Sequence, residues 1–300
     1  MEQRGGRAEI KRSGGAGVSE ETTPLPPSSS APLLPCSSAP LPLCASANAV
    51  TIAGIPVANL SEDGAVAAID RLISLGGAHY GAVVNAAKLV AADRDEQLKR
   101  VLLDADLVTA DGMSVVWASR LLGQGLKERV TGIDLFQRLV EHAASANRSV
   151  YLLGAREESV RGTVDLFTNR YPALRVVGYR NGYFDASECP SVCEAIRVSG
   201  ADLLFVAMGS PRQEHWIASN IALTGVRFAL GVGGSFDHLS GLARRAPRWM
   251  QRSGLEWFHR LAQEPRRLWR RYLIGNSAFT WLVIRQRLWG RKAAEQPDAR

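Results

Sequence analysis

From residue 49 onward, short continuous apolar runs alternate with longer stretches whose apolar positions recur three and four apart. The first pattern suits a strand buried on both faces, the second an amphipathic helix. The opening run, Val50-Thr51-Ile52-Ala53-Gly54-Ile55-Pro56-Val57, predicts a short hairpin. Residues 61–75 predict a helix, with Ser61 at the N-cap and acids in the first turn. A buried strand over 80–85 leads to a helix over 86–103, a strand over 107–110 and helices over 112–122 and 133–147. Then come strand 149–154, helix 157–171, strand 174–178, helix 187–199, strand 202–207, helix 211–223 and a last strand over 227–232. Apolar strands joined by crossover helices predict an α/β fold: a Rossmann-like parallel sheet with flanking helices. Ligands of such sheets bind beyond the carboxyl ends of the strands, so the residues there are the first candidates for chemistry.

Those ends carry Asn85, Asp111-Gly112, Gly154-Ala155, the run Met208-Gly209-Ser210-Pro211-Arg212-Gln213-Glu214, and Gly233-Gly234-Ser235-Phe236-Asp237. Each alone is a weak signal, because Gly and Asn at a strand end usually shape a turn. Their collection at one edge predicts a shared cleft. Asp111 has two readings of equal weight: a helix N-cap, or a carboxylate that takes a proton from a sugar hydroxyl as it attacks an anomeric carbon. Gly231-Val232-Gly233-Gly234 lacks the Walker lysine and the dinucleotide spacing. It reads either as a tight turn or as backbone amides that approach a diphosphate. The five histidines show no ligand spacing, and no nucleophilic triad or zinc-helix motif is present.

Composition adds a division along the chain. Residues 1–48 are rich in Pro and Ser and predict a disordered tail. Residues 49–243 form the α/β domain. The net charge is +7, yet residues 241–300 alone hold thirteen arginines and one lysine against four acids, so the rest is slightly acidic. Residues 244–292 interleave those arginines with tryptophans and predict a basic amphipathic helical appendage, followed by a disordered end over 293–300. Arg and Trp on one helix suit an anionic membrane surface. A solvated helix face, self-association into a homo-oligomer, or a nucleic acid are the other readings. The last lacks any helix-turn-helix, RNA-recognition or zinc signature, so no nucleic-acid partner is expected. No apolar run is long and clean enough to span a bilayer, and the first residues do not form a signal peptide. The expected location is the cytoplasm, peripherally at the inner face of the plasma membrane. Cys36, Cys44, Cys189 and Cys193 lack metal-site spacing and read as reduced thiols. A nicotinamide-dependent oxidoreductase is disfavoured because the first sheet strand ends in Val84-Asn85-Ala86-Ala87-Lys88 rather than a glycine-rich turn.

Several of these segments, in order, resemble one family. They are Asn85; Ala105-Asp106-Leu107-Val108-Thr109-Ala110-Asp111-Gly112-Met113; Glu128-Arg129-Val130-Thr131-Gly132-Ile133-Asp134-Leu135; Gly209-Ser210-Pro211-Arg212-Gln213-Glu214; Gly231-Val232-Gly233-Gly234-Ser235-Phe236-Asp237; Ala246-Pro247-Arg248-Trp249; and Gly254-Leu255-Glu256-Trp257. Over roughly residues 50–275 the chain resembles the WecG/TagA/CpsF glycosyltransferases, glycosyltransferase family 26. The resemblance implies an inverting transfer of N-acetylmannosamine, its uronic acid or a related sugar. The donor would be a UDP-sugar, the acceptor a polyprenyl-diphosphate-linked sugar, and no metal or other cofactor would be needed. Products of such transfers enter teichoic acid or exopolysaccharide. By position, Asp111 matches the family's catalytic base. Asn85, Arg129, Asp134, Gln213 and Asp237 match substrate-binding positions, and Gly182 and Tyr183 a UDP-contacting loop. Arg260, Arg267 and Arg270 match arginines that the appendage lends to the lipid diphosphate. The other reading of Arg129 is a surface pair with Glu128. Val83 departs from the pattern, since many members carry Thr there.

Overall fold

The computed structural model describes residues 49–243, 246–247, 249–250, 256–263 and 275–288. The predicted disordered tails 1–48 and 293–300 lie outside the described residues, as do Arg267 and Arg270; of Arg260 only the backbone is described.

A two-stranded antiparallel hairpin, β1 (Ala49–Ile52) and β2 (Ile55–Ala58), opens the fold. Its turn residues Ala53 and Gly54 have φ of 50° and 79°, the positive pair a tight two-residue hairpin requires. Six parallel strands follow: β3 (His79–Val84), β4 (Leu107–Ala110), β5 (Ser149–Gly154), β6 (Arg175–Arg180), β7 (Leu203–Ala207) and β8 (Phe228–Gly231). They lie in the order β4-β3-β8-β7-β5-β6. The helices that join and flank them are α1 (Glu62–Leu75), α2 (Ala86–Arg94), α3 (Glu96–Leu103), α4 (Met113–Leu121), α5 (Gly132–Ser145), α6 (Glu157–Arg170), α7 (Cys189–Ser199), α8 (Arg212–Thr224) and α9 (Ser235–Leu239). This is the expected Rossmann-like arrangement. A helix over Glu256–Gln263 and a helix over 275–288 come after it.

One element is corrected. The helix expected over 86–103 is two helices, broken at Asp95, whose backbone is extended (φ −120°, ψ 99°). The Asp95 carboxylate accepts from the amides of Gln97 and Leu98, both at 3.0 Å. A residue that caps the next helix this way ends the previous one, and the periodicity of 86–103 hid the break.

Strand side chains alternate between the two faces of the sheet. Val150 and Leu152 join Leu203 and Phe205 under α1, α5, α6 and α9. Tyr151 and Leu153 join Leu204 and Val206 under α7 and α8. A third cluster fills the space between the hairpin, α2, α3 and α4. Phe279, Leu282 and Val283 of the helix 275–288 are buried in that third cluster. Gln286 of that helix accepts from the Ala53 amide at 2.8 Å and donates to the Thr51 carbonyl at 2.8 Å. Part of the appendage is therefore core.

Phe136 is fully buried, with ring centroids 4.4 Å from Phe205 and 5.2 Å from Phe167. Phe136→Ala is expected to lower unfolding free energy by about 3–5 kcal/mol, measured by urea denaturation. A loss under about 1 kcal/mol would mean that the surrounding core collapses into the gap.

Candidate active site

Because all six strands run the same way, their carboxyl ends share one edge of the sheet. The chain turns in opposite directions after two neighbours. From β5 it moves outward to β6, and from β7 it moves the other way to β8. The crevice between the ends of β5 and β7 is thus the topological switch point, where open α/β sheets bind nucleotides.

At the β3 and β4 ends lies a cavity of about 360 Å³, lined among others by Asn85, Asp111, Arg129 and Glu256, with Trp117 and Trp257 exposed at its rim. Asp111 follows β4 directly, and its amide donates to the Val84 carbonyl at 2.7 Å, so strand pairing fixes its backbone. The cap position of α4 falls on Gly112 (φ 109°), not on Asp111. Asn85 caps α2, its side-chain oxygen accepting from the Lys88 amide at 3.0 Å. The group it can present to the cavity is therefore its Nδ2H₂. Arg129 sits in the loop before α5, held where the neighbouring Val130 amide donates to the Ala110 carbonyl at 3.0 Å. Its guanidinium pairs with Glu256 at 3.3 Å, each side chain 16% exposed, whereas Glu128 accepts from the Glu62 amide. The partner of Arg129 thus comes from the appendage and not from its sequence neighbour.

The other expected site residues whose side chains are described are not part of that cavity's lining. Asp134 lies in the first turn of α5, where its carboxylate accepts from the Thr131 hydroxyl at 2.6 Å and its amide donates to Thr131 Oγ1 at 3.2 Å. Asp237, on α9, accepts from the Ser159 hydroxyl of α6. Gly182 packs over the end of β5, its amide donating to the Ala155 carbonyl at 2.9 Å. A Cβ on Gly182 would come within 2.9 Å of Gly154 Cα, and one on Gly154 within 2.4 Å of the Ala207 carbonyl oxygen. Tyr183 beside them is 71% exposed. Gly182 and Tyr183 therefore belong to the switch-point crevice, while Asn85, Asp111 and Arg129 belong to the acid cavity. Val83 is buried, with Gly132 against its side chain, so the residue in the family's Thr position here faces the core.

Gln213 is 2% exposed and bonded inward: its Nε2 donates to Glu214 Oε1 at 2.8 Å, and its Oε1 accepts from the Gly233 amide at 3.0 Å. The amides of Val232 and Ser235 are likewise taken, by the Val206 and Val232 carbonyls. Much of the glycine loop's hydrogen-bonding capacity is used to hold its own shape.

Residues 50–293 match the family described as glycosyl transferase WecG/TagA/CpsF. The chain belongs to the WecG/TagA/CpsF glycosyltransferase family. Among its curated relatives, the N-acetylglucosaminyldiphosphoundecaprenol N-acetyl-beta-D-mannosaminyltransferase of Bacillus subtilis (strain 168) is 36% identical over 190 residues, 63% of this chain and 73% of that protein. The protein of the same name from Bacillus spizizenii strain W23 is 36% identical over 182 residues, 61% of this chain and 70% of that protein.

Two features of this glycosyltransferase escaped the sequence. Glu256 lies 127 residues from Arg129 in the chain, and no local pattern joins them. Lys88 and Glu214 form an ion pair at 2.7 Å, 7% and 4% exposed; a lysine in the first turn of a helix ordinarily reads as solvated. Cys189 and Cys193 are both free thiols on α7, and burial, with the neighbouring Cys189, pushes the Cys193 thiol up to about 12. A group that stays protonated at neutral pH is a poor nucleophile.

Proposed function

We propose that this enzyme transfers an N-acetylmannosamine-type sugar from a UDP donor, with inversion, to a polyprenyl-diphosphate-linked N-acetylglucosamine, and that Asp111 is the general base. The observation that carries this reading is the placement of Asp111 with Arg129 in a cavity at the carboxyl edge of the sheet. The acceptor follows from the relatives' names. Inversion needs a single displacement, hence one base and no side-chain nucleophile. Asp111 would draw the proton from the acceptor hydroxyl. Arg129 would face the negative charge that grows on the departing diphosphate. The uridine and its phosphates suit the neighbouring crevice, where Gly154 and Gly182 let backbone approach closely. Arg129 supplies the positive charge, so the reading needs no metal.

The test is a panel of UDP-sugars with a short-chain polyprenyl-diphosphate-N-acetylglucosamine acceptor, with product mass and anomeric configuration as readouts. A β-linked product from UDP-N-acetylmannosamine, formed at the same rate with a chelator present, is expected. Retention of the donor configuration would refute the single-displacement reading.

The same reading puts the enzyme on an anionic membrane surface. Among the described residues, no helix is long and apolar enough to cross a membrane. The helix 275–288 turns Trp281, Ile284 and Leu288 outward, opposite its buried Phe279, Leu282 and Val283. Arg287 donates to the Leu121 carbonyl, which sets this outward face beside the exposed Trp117 and Leu121 of α4. An apolar ridge next to the cavity suits entry of a lipid-linked acceptor from the bilayer surface. Trp281→Ala combined with Leu288→Ala is expected to cut flotation with anionic vesicles several-fold while the melting temperature holds. Flotation equal to wild type would remove this face from membrane binding. A chain cut after Met250 is a poor substitute, because it also strips three buried side chains from the core.

A further inference from the structure

A buried ion pair is a poor way to gain stability. Each charge loses its hydration, and well-packed apolar residues of similar size often serve as well. The Lys88–Glu214 pair lies almost wholly out of solvent, yet its hydrogen bonds run in a continuous chain. Lys88 Nζ donates to the Val83 carbonyl and to Glu214 Oε1, both at 2.7 Å. Gln213 Nε2 donates to that same oxygen at 2.8 Å, and Gln213 Oε1 holds the Gly233 amide at 3.0 Å. The chain links the end of β3 and the start of α2 to the start of α8 and the loop after β8. Gly231 makes room for it: a Cβ there would stand 2.6 Å from Gln213 Nε2. Burial alone would raise the Glu214 carboxyl; the Lys88 charge and the hydrogen bonds from Lys88 and Gln213 outweigh that and hold it below its ordinary value.

We infer that Lys88 and Glu214 are positioning residues whose pairing locks Gln213 and the Gly233 loop against α2, and so fixes the switch-point half of the substrate site relative to the half that holds Asn85 and Asp111. The inference rests on the glycosyltransferase reading above. The lock connects the two regions across β8, the strand that lies between β3 and β7. Its work is geometric. Donor and acceptor must meet at bonding distance, and a shift of about 1 Å in such an arrangement costs about 100-fold in rate.

The test compares Lys88→Met/Glu214→Leu with wild type by melting temperature, by kcat and KM for both substrates, and by hydrogen exchange of the Gly233 amide. The double variant removes both charges at similar volume. It is expected to melt within a few degrees of wild type, to exchange Gly233 at least about tenfold faster, and to lose about 10- to 100-fold in kcat with little change in donor KM. Wild-type kcat, or unchanged Gly233 protection, in the folded double variant would overturn the inference. Should that variant fail to fold, Gly231→Ala breaks the same chain from the other end by displacing Gln213. It should show the same two losses, and wild-type values for both would equally overturn the inference. If the wild-type enzyme transfers from no UDP-sugar, the function reading falls instead. The exchange measurement needs no substrate and decides the lock in either case.

Discussion

Asp111→Asn is expected to lower kcat by about 10²–10⁴-fold while UDP binding changes less than about threefold, as calorimetry would show. The range is what a general base contributes to a proton transfer. Asn is nearly isosteric, and the backbone of Asp111 is fixed by its amide bond to the Val84 carbonyl, so the cavity should keep its shape. Because the α4 cap position is Gly112, the substitution should leave the helix start unaltered and the melting temperature within a few degrees. A large fall in stability with proportionate loss of UDP binding would point to a structural carboxylate. Retained transfer would take Asp111 out of the chemistry.

Arg129→Met is expected to cost about 10²–10³-fold in kcat, the scale of losing one donor to a developing anion. Glu256 bears on the outcome, because the substitution takes the Arg129 guanidinium away from that carboxylate. The double variant Arg129→Met/Glu256→Gln separates the two contributions. If Arg129 faces the leaving diphosphate, the double variant stays as slow as the single one. If Arg129 serves only to neutralise Glu256, the double variant recovers most of its rate. Steady-state kinetics under saturating donor and acceptor decides between them.

The fold was legible because its strands are continuous apolar runs and its crossover helices carry the helical period. Both signals are local. Asp95 shows the limit: its capping bonds break a helix whose apolar spacing runs through it undisturbed. At the site, strand-end logic found Asn85 and Asp111, and the cavity holds them together. The resemblance supplied Asp134, and strand ends and resemblance together gave Asp237; these bond to Thr131 at the N-cap of α5 and to Ser159 of α6. Strand-end reading also treated the edge as a single cleft. Strand order adds which residues of that edge are near which, setting Asn85 and Asp111 after β3 and β4 and the switch point between β5 and β7, and strand order is not written in any one segment. The pairings of Glu256 and Lys88 were invisible for the same reason, since their partners lie more than a hundred residues away. The appendage was read as a cationic surface attachment from its arginines. Its Phe279, Leu282 and Val283 also complete the core beside the hairpin, a role that charge counting cannot reveal.

The most direct test is a ternary structure with UDP and a short-chain, lipid-diphosphate-linked N-acetylglucosamine. An Asp111 carboxylate oxygen is expected about 2.6–3.2 Å from the acceptor hydroxyl, with the diphosphate between Arg129 and the crevice bordered by Gly154 and Gly182. Asp111 turned away from both ligands, with another group at that hydroxyl, would contradict it.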